Sequence, residues 1–496
     1  MSYSAEDVLQ PSDLVGCRYR RVQARHFPDM PHTHLSQARA VRAEAGRLAV
    51  LSKLPSRPDS RAKRFRRIDL GPLGPVPEEE LFYRYLSTLE AMAAGYTHIT
   101  GGVLETGNLV APVDILLREG EAYTPINVSN HRVERKSPKH TCYSVPTYRL
   151  GLSEPLEVGY KLRHKATDSV RLAVAARALR ELGVDSGRGG YVGQDRDRVF
   201  FQATDTLEQS LNSALAVPVP DMPRRTKECA SCRFWDMCEP ELVAADDLSL
   251  FLPGERGLKY RERGIHTVQA LIDAGLGEPS QLAAAWRAGV PLLKRAAVPE
   301  VPRADVEVDV DMEAYLDQGA YLWGAWYEGE YYPFVTWEPL GGRAEAANFE
   351  EFWTWLMGLR EKAHAQGKTF KAYCYSAHGE NHWMIMSAQR FGTPALEEVN
   401  AFIASEDWVD LFTYVKRAFA GPFGLSLKTV APVAGFHWDV DDFDGEESVA
   451  ARRVALAGDM ESRERLLTYN ADDVQATLAV REWMSAGATG VPRLGE

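Results

Sequence analysis

The sequence predicts an α/β multidomain protein, and three observations support this fold class. Its 496 residues correspond to about three domains of ordinary length, and a hydrophobic content of 45% is enough to build a core for each. Segments with the two-residue period of strands alternate with segments of helical period. No stretch approaches the roughly 18 apolar residues of a membrane helix, and the first residues lack a signal-peptide pattern, so we expect a cytoplasmic protein without membrane contact.

The charge is distributed unevenly along the chain. The formal net charge of −12 argues against a general binder of polyanions. Residues 18–67 nevertheless contain 14 Lys and Arg against three acids, a net charge of 14 − 3 = +11. This segment is either a solvated helical surface or a nucleic-acid-binding surface that releases counterions from phosphates. The residues predicted to contact nucleic acid here are Arg18, Arg20, Arg21, Arg25, Lys63 and Arg64.

Three of the six cysteines, Cys229, Cys232 and Cys238, lie within ten residues in a C-x2-C-x5-C pattern. A reducing compartment favours metal ligands over disulfides for such a group. A fourth candidate is Cys17, in the N-terminal segment PSDLVGC. Four thiolates suit a zinc ion or an iron–sulfur cluster, and the spacing excludes neither. Buried thiols without a metal are the simplest alternative.

The N-terminal PSxLxxC segment with its basic residues, together with the distant C-x2-C-x5-C pattern, resembles the iron–sulfur RecB-like nucleases. In that family one early and three late cysteines bind a 4Fe-4S cluster that joins the two ends of the nuclease domain. The resemblance implies that Cys17, Cys229, Cys232 and Cys238 bind such a cluster, with zinc as the alternative. A cluster here closes a loop of over 200 residues, whose ends would otherwise meet at an entropic cost.

The predicted elements between the cysteines follow the order of the RecB-like, restriction-endonuclease-like fold (PD-(D/E)XK), which we assign to residues 1–245. The order is helix, three strands and helix, predicted at 78–96, 98–106, 111–119, 122–131 and 169–183.

Nucleases of that family bind a divalent ion with an Asp on one strand and an acid-x-Lys on the next. Asp114 fits the first position, but Asn127 and Ser129 stand where the acid and the lysine are expected. Glu134 and Lys136 follow seven residues later and require a bent or shifted strand. We therefore expect this domain to bind DNA rather than cut it, with these three charged residues as an alternative second nuclease site.

Residues 246–300 are predicted to form a helical spacer. The stretch GERGLKYRERGIHTVQAL resembles a helix-hairpin-helix, in which backbone amides contact phosphates without reading sequence. A plain helical spacer is the alternative. The proline-containing VPEVPRADV indicates a linker into the last domain, residues 301–496.

The last domain opens with a strand in which apolar residues at 306, 308, 310 and 312 alternate with acidic ones. Asp311 and Glu313 share one face, where like charges repel unless a cation lies between them. An acidic, solvent-facing edge strand is the alternative. Two further strands, a helix, a fourth strand and several helices follow, which is the layout of the RNase H-like fold. In the last helix Tyr469 and Asp473 are four apart and share a face.

Together these residues resemble the DEDD-type 3′–5′ exonucleases of the RNase H-like superfamily, in the tyrosine (DEDDy) subtype. The resemblance implies that Asp311 and Glu313 form the first motif. It assigns Glu380 to the second motif, where Asp is commoner, and Tyr469 and Asp473 to the third. Two Mg²⁺ or Mn²⁺ ions would bind to the four carboxylates, and Tyr469 would position the attacking water.

Two further side chains of this domain carry expectations. Lys428, in the segment LSLKTVA, is predicted to contact the nucleic-acid backbone. Asp472 lies beside Asp473 but about 100° away around the helix, so we expect it to be solvated.

Three functional hypotheses follow. The first is a metal-dependent nuclease, a 3′–5′ exonuclease that acts on DNA rather than RNA through residues 301–496 while the RecB-like domain grips DNA. The second places catalysis in the RecB-like domain at Asp114. The third makes both sites non-catalytic and the protein a DNA-binding scaffold for a repair or defence complex. The acidic residues of the last domain favour the first.

Overall fold

The computed structural model describes residues 8–56, 65–295, 300–315, 318–439 and 445–495. The chain divides into two compact units, Met1–Gly264 and Ile265–Glu496. This division falls inside the predicted spacer, so the division into three parts, 1–245, 246–300 and 301–496, stays a prediction. Across the described residues, no helix combines the length and the apolar character needed to cross a bilayer.

The N-terminal unit contains a large sheet flanked by helices. Its strands are β1 (Arg67–Asp69), β2 (His98–Thr106), β3 (Leu109–Glu119), β4 (Ala122–Val128), β5 (Glu134–Lys136), β6 (Cys142–Pro146), β7 (Leu156–Val158), β8 (Tyr160–Leu162), β9 (Arg188–Val192) and β10 (Arg198–Ala203). Its helices are α1 (Tyr19–His26), α2 (His34–Lys53), α3 (Glu78–Ala93), α4 (Ala166–Glu181), α5 (Asp205–Ala216), α6 (Trp235–Ala244) and α7 (Leu258–Arg261).

The large sheet has the strand order β1-β2-β3-β4-β9-β10-β6-β7, while β5 and β8 form a separate pair. The predicted helix, three strands and helix coincide with α3, β2, β3, β4 and α4. The first nine residues of β3, 109–117, are all buried, because helices cover both faces of this central strand. Asp114 is therefore a carboxylate inside an otherwise apolar run. The assignment of residues 1–245 to a RecB-like fold stays a prediction.

The C-terminal unit contains a five-stranded sheet covered by helices. Its strands are β11 (Leu293–Lys294), β12 (Val306–Tyr315), β13 (Gly319–Tyr327), β14 (Glu330–Val335), β15 (Phe370–Cys374), β16 (Trp408–Asp410) and β17 (Phe419–Ala420). Its helices are α8 (Val268–Asp273), α9 (Glu278–Arg287), α10 (Arg343–Ala365), α11 (His378–Phe391), α12 (Leu396–Ile403), α13 (Leu411–Ala418), α14 (Leu427–Val430), α15 (Gly445–Leu456) and α16 (Met460–Ser485).

The order of the main sheet is β14-β13-β12-β15-β16, which makes β12 its central strand. The first three strands pair antiparallel, and β15 and β16 add in parallel. On one face, Val308 and Val310 of β12 pack with aromatic residues of α10. There the ring of Trp323 on β13 stacks on the ring of Phe352 on α10, with 4.8 Å between the centroids. On the other face lie α16 and α13.

The acidic face of β12 is covered by α16, and the solvent-facing edge strand considered as an alternative is wrong. Asp309 is 1% exposed and receives two hydrogen bonds from the guanidinium of Arg481 on α16, at 3.0 and 2.7 Å. Arg481 also donates to Glu307 at 2.6 Å. Because burial of unpaired charge is costly, this ion pair fixes α16 against the strand in one register.

Candidate active site

Three carboxylates from two elements meet at the end of β12. Asp311 and Glu313 project from the same face of the strand, because side chains alternate with a period of two. Asp473 comes from α16, which crosses that face. Each of the three offers an oxygen, and these oxygens lie within 4.8 Å of one another. Within the described part of the chain, this is the one group of acidic, histidine or cysteine side chains close enough to share an ion in this way.

Neutral donors orient the three carboxylates. The indole Nε1 of Trp438 donates to Asp473 Oδ1 at 2.7 Å, and Tyr469, one helical turn before Asp473, donates its hydroxyl to the same carboxylate. The hydroxyl of Ser448 on α15 donates to Glu313 Oε2 at 3.1 Å. The amide of Asn470 donates to Asp311 Oδ2 at 2.7 Å. Neutral donors fix geometry without cancelling the negative charge.

Glu380 lies in the first turn of α11, close to this group but not within the closely spaced triad. It is 5% exposed, and its Oε2 has no hydrogen-bond partner among the described residues. Its charge is near enough to raise the pKa of both Asp311 and Glu313. A buried carboxylate oxygen without a partner is costly, and a bound cation would satisfy it.

Burial raises the pKa of every carboxyl in the group, and neighbouring negative charges add to this effect. Burial and the charge of Asp473 raise the pKa of Glu313 to about 8. Burial, with Asp410 nearby, raises the pKa of Glu380 to about 7, and burial raises that of Asp473 to about 6. For Asp311, burial and three neighbouring charges raise the pKa well above its ordinary value. Without a cation, the group therefore holds protons near neutral pH.

The donor set fits divalent ions that prefer oxygen. Carboxylate oxygens with separations under 5 Å suit Mg²⁺ or Mn²⁺, which bind oxygen ligands at about 2.1 Å. The residues available to hold ions are Asp311, Glu313, Asp473 and, across the group, Glu380. Thiolates and imidazoles, which favour softer metals, do not belong to this closely spaced group.

The hydroxyl of Tyr469 is held as a donor. Burial and the charges of Asp473, Glu313 and Asp311 raise the pKa of Tyr469 far above its usual value. The ammonium of Lys428 on α14 lies 5.2 Å from the centroid of the Tyr469 ring. The positive charge of Lys428 lowers the pKa of Asp473 and Glu313, so this lysine faces the carboxylate group.

The alternative nuclease site of the N-terminal unit has a different character. Asp114 is fully buried, accepts a hydrogen bond from the Val128 amide at 2.7 Å, and forms ion pairs with Arg171 at 3.0 Å and Arg47 at 3.8 Å. Two guanidinium groups thus occupy the surroundings where a divalent ion would have to bind.

The other two members of that alternative site lie on β5, outside the large sheet. Glu134 is 4% exposed and lies 3.8 Å from Arg132, while Lys136 is exposed. Neither Asp114 nor Glu134 belongs to a group of closely spaced metal-ligating side chains among the described residues. The separate position of β5 therefore does not bring Glu134 and Asp114 together into an acidic metal site among the described residues.

The four cysteines of the predicted cluster line one small cavity. Cys17 precedes α1, Cys229 lies in the short 3-10 helix Lys227–Ser231, and Cys238 lies in α6. N–H groups point at the sulfurs: the Gln23 amide donates to Cys238 at 3.4 Å and the Thr226 backbone to Cys229 at 3.3 Å. The remaining two cysteines lie elsewhere, with Cys374 buried in the C-terminal core.

The basic residues near the N-terminus have mixed positions. Arg18 donates to the carbonyls of Leu14, Ala214 and Val217, so its guanidinium ties the end of α5 to the N-terminal segment. Arg20 and Arg21 line a cleft beside the cysteine cavity, together with Arg39 and Arg233. Arg25 lies in the last turn of α1. Lys63 and Arg64 lie outside the described residues.

Sequence reasoning missed several residues of the site. Asn470, Ser448 and Trp438 carry no motif by themselves, although an amide directly after the predicted Tyr469 was a usable signal. The expectation for Asp472 is wrong: this side chain is 5% exposed and accepts a hydrogen bond from the Asp439 backbone at 3.0 Å, because Trp438 and Asp439 lie against α16.

Comparison with known proteins agrees with this geometry. Residues 310–485 match the family model RNase_H_2, which is described as RNase H superfamily. A search of curated proteins found no match. The matched segment runs from within β12 to the end of α16 and includes Asp311, Glu313, Glu380 and Asp473. The C-terminal unit therefore carries an RNase H-like domain, a type of domain consistent with a nuclease acting on nucleic acid.

Proposed function

We propose that this protein is a metal-dependent 3′–5′ exonuclease of DNA, with catalysis in the RNase H-like domain and nucleic-acid binding in the N-terminal unit. The observation that carries the proposal is the carboxylate triad Asp311, Glu313 and Asp473, with Glu380 and the tyrosine hydroxyl beside it. Such a group persists without neutralising cations only by holding protons.

Two divalent ions bound here would supply charge neutralisation for the attacking and leaving oxygens of the phosphodiester. The chain's own residues perform the remaining tasks. Asp311 is close enough to feel the charges of Asp473, Glu313 and Glu380, and it would be the carboxylate shared by the ions. Tyr469 orients Asp473 and, with its hydroxyl held protonated, positions a water by hydrogen bonding rather than by removing its proton. Lys428 offers a positive charge to a phosphate at the same site.

The test is digestion of end-labelled oligonucleotides with Mg²⁺ or Mn²⁺. Asp473→Asn should reduce the rate by more than about 100-fold, because a metal ligand is lost. Its matched control is Asp472→Asn, the adjacent carboxylate outside the triad. A 5′ label should give a ladder that shortens from the 3′ end, circular DNA should resist, and an RNA oligonucleotide should be degraded more slowly. Equal loss in both variants, or no metal-dependent digestion by the wild type, would overturn the proposal.

We propose further that the cleft beside the cysteine cavity binds the phosphodiester backbone. Arg20, Arg21, Arg39 and Arg233 line it, against two acids, Asp13 and Glu228. Three serine hydroxyls add neutral donors to the same walls. Arginine in a partly enclosed cleft is well suited to phosphate because its planar group donates in pairs.

Binding is measured by fluorescence anisotropy of labelled single- and double-stranded DNA in EDTA, so that no cleavage occurs. The double variant Arg20→Gln/Arg39→Gln should weaken binding and lower the slope of log K against log salt by about 1–2. Arg180→Gln, an exposed arginine on α4 of the same unit, is the matched control. An unchanged slope in the double variant would exclude the cleft as the DNA contact.

We propose that the four cysteines hold a 4Fe-4S cluster. They line one cavity, yet no three of their sulfurs form a group with separations under 4.8 Å within the described chain. Thiolates on a single zinc at about 2.3 Å would lie about 3.8 Å apart, so the wider spacing favours a larger group. Iron, sulfide and zinc analysis of anaerobically purified protein distinguishes the two, and equimolar zinc without iron would refute the cluster.

A further inference from the structure

A buried amide contacts the central carboxylate of the proposed active site. Asn470 directly follows Tyr469 on α16 and is fully buried. Its Nδ2 donates to Asp311 Oδ2 at 2.7 Å. Because this hydrogen bond engages one of the two carboxylate oxygens, it fixes the orientation of the whole carboxyl.

The orientation of this amide is itself fixed by a second side chain. The hydroxyl of Tyr331 on β14 donates to Asn470 Oδ1 at 2.6 Å. An amide flip would place the Asn470 oxygen against the Asp311 carboxylate, which replaces that hydrogen bond by a repulsive contact, while the NH₂ could still donate to the Tyr331 hydroxyl. The chain Tyr331–Asn470–Asp311 therefore has a single favourable arrangement.

The missing side chain of Gly324 leaves the space on the sheet that the Asn470 amide occupies. Gly324 on β13 lies opposite Asp311 on one side and Pro333 on the other. A Cβ at position 324 would overlap Asn470 Oδ1 and would also approach the Tyr331 ring. Glycine at the centre of a strand weakens that strand, so a close approach of another group is a physical reason for its presence here.

We propose that Asn470 is a positioning residue that aims Asp311 at the divalent ions, with Tyr331 locking the amide and Gly324 making room for it. The inference rests on the proposed function of the same site. An amide suits this task because it donates a hydrogen bond without charge. A lysine would neutralise Asp311 and compete with the ions, while an aspartate would repel it. Partners of this kind typically contribute 10–100-fold to metal affinity or activity.

The test measures Mn²⁺ binding directly, by electron paramagnetic resonance of the free ion, beside oligonucleotide digestion. Asn470→Leu keeps the size of the side chain and removes both hydrogen bonds, so the Mn²⁺ dissociation constant should rise by about 10–100-fold. Tyr331→Phe leaves Asn470 and Asp311 intact and removes only the lock. It should give a smaller rise in the same direction, and it serves as the second variant if Asn470→Leu does not fold.

The matched control is Asn348→Leu, another buried amide of this unit, whose Nδ2 donates to the Tyr321 carbonyl at 3.4 Å. It should lower the melting temperature without changing Mn²⁺ affinity. If Asn470→Leu and Tyr331→Phe behave like this control, Asn470 is merely structural and the inference is overturned. If the wild type binds Mn²⁺ but digests nothing, the proposed function fails while the affinity difference still supports the positioning role. A wild type that binds no Mn²⁺ would overturn both.

Discussion

Replacing Asp311 by asparagine should stabilise the metal-free protein while it abolishes metal binding. The wild-type carboxylate lies beside Glu313 and Asp473, with oxygens within 4.8 Å, and is buried with them. An asparagine of the same shape can still accept from Asn470 through its oxygen and can donate its NH₂ to the two remaining carboxylates. Repulsion in the metal-free state is thus exchanged for attraction.

The magnitude follows from the separation. Two full charges at 4.8 Å repel by about 3.5 kcal/mol at an effective dielectric constant of about 20. The actual repulsion energy is smaller, because Glu313 can take up a proton: burial and the charge of Asp473 raise its pKa to about 8. A net gain of about 1–3 kcal/mol in the free energy of unfolding is therefore expected near pH 8. The C-terminal unit has 496 − 264 = 232 residues, for which each kcal/mol corresponds to about 2–4 °C in melting temperature.

The assay is calorimetric melting in EDTA and in Mn²⁺. Asp311→Asn should melt higher than the wild type in EDTA and lose the further rise that Mn²⁺ gives the wild type. The matched control is Asp309→Asn, two residues earlier on the same face, where the ion pair with Arg481 is broken and the melting temperature should fall. If Asp311→Asn also melts lower in EDTA, the repulsion on which this reasoning depends is absent.

Three other perturbations have defined outcomes. Asp114→Asn should leave metal-dependent digestion intact but lower the free energy of unfolding by about 3–5 kcal/mol, because Arg171 loses its buried partner. Loss of digestion at unchanged stability would instead place catalysis in the N-terminal unit. Cys17→Ser should remove the iron and lower the melting temperature of the N-terminal unit only; unchanged iron content would exclude Cys17 as a ligand. As pH rises from about 6 to about 8, the metal-free C-terminal unit should become less stable, because the raised pKa values of Asp473 and Glu313 let the folded carboxyls hold protons that the unfolded chain has lost. Mn²⁺ binding should become tighter over the same range. Melting and Mn²⁺ titration at several pH values test both, and a flat profile in both measurements would contradict this assignment.

Local patterns predicted much of the fold. Patterns of neighbouring residues were enough to predict strand β12 and helices α3, α4 and α16. The structure has these elements at the predicted positions. The pattern could not say what covers the acidic face of β12. That depends on Arg481, which lies 172 residues beyond Asp309, and contacts over such separations leave no mark in local periodicity.

The candidate site was predicted only as far as its motifs reach. Asp311, Glu313 and Asp473 were predicted from their spacing together with the resemblance to DEDD-type exonucleases, and the structure brings these three together. Trp438 and Ser448 were missed, because each comes from an irregular or separate element whose position is set by tertiary packing. The ion pair between Arg171 and Asp114 leaves no mark in the local pattern either, since it requires the folded β3 and α4.

The partners of each buried carboxylate distinguish the ion-paired acids of this molecule from the acids of the proposed active site. Asp309 and Asp114 are paired with guanidinium groups, whose positive charge offsets that of the carboxylate. The carboxylates of the triad receive their short hydrogen bonds from an amide, an indole and hydroxyls, supplied by Asn470, Trp438, Tyr469 and Ser448. A neutral donor orients a carboxylate and leaves its charge in place. On β12, Arg481 offsets the charge of Asp309, whereas Asp311, two residues later, receives its hydrogen bond from a neutral amide. This difference favours Asp311 over the equally buried Asp309 as the place of the proposed chemistry.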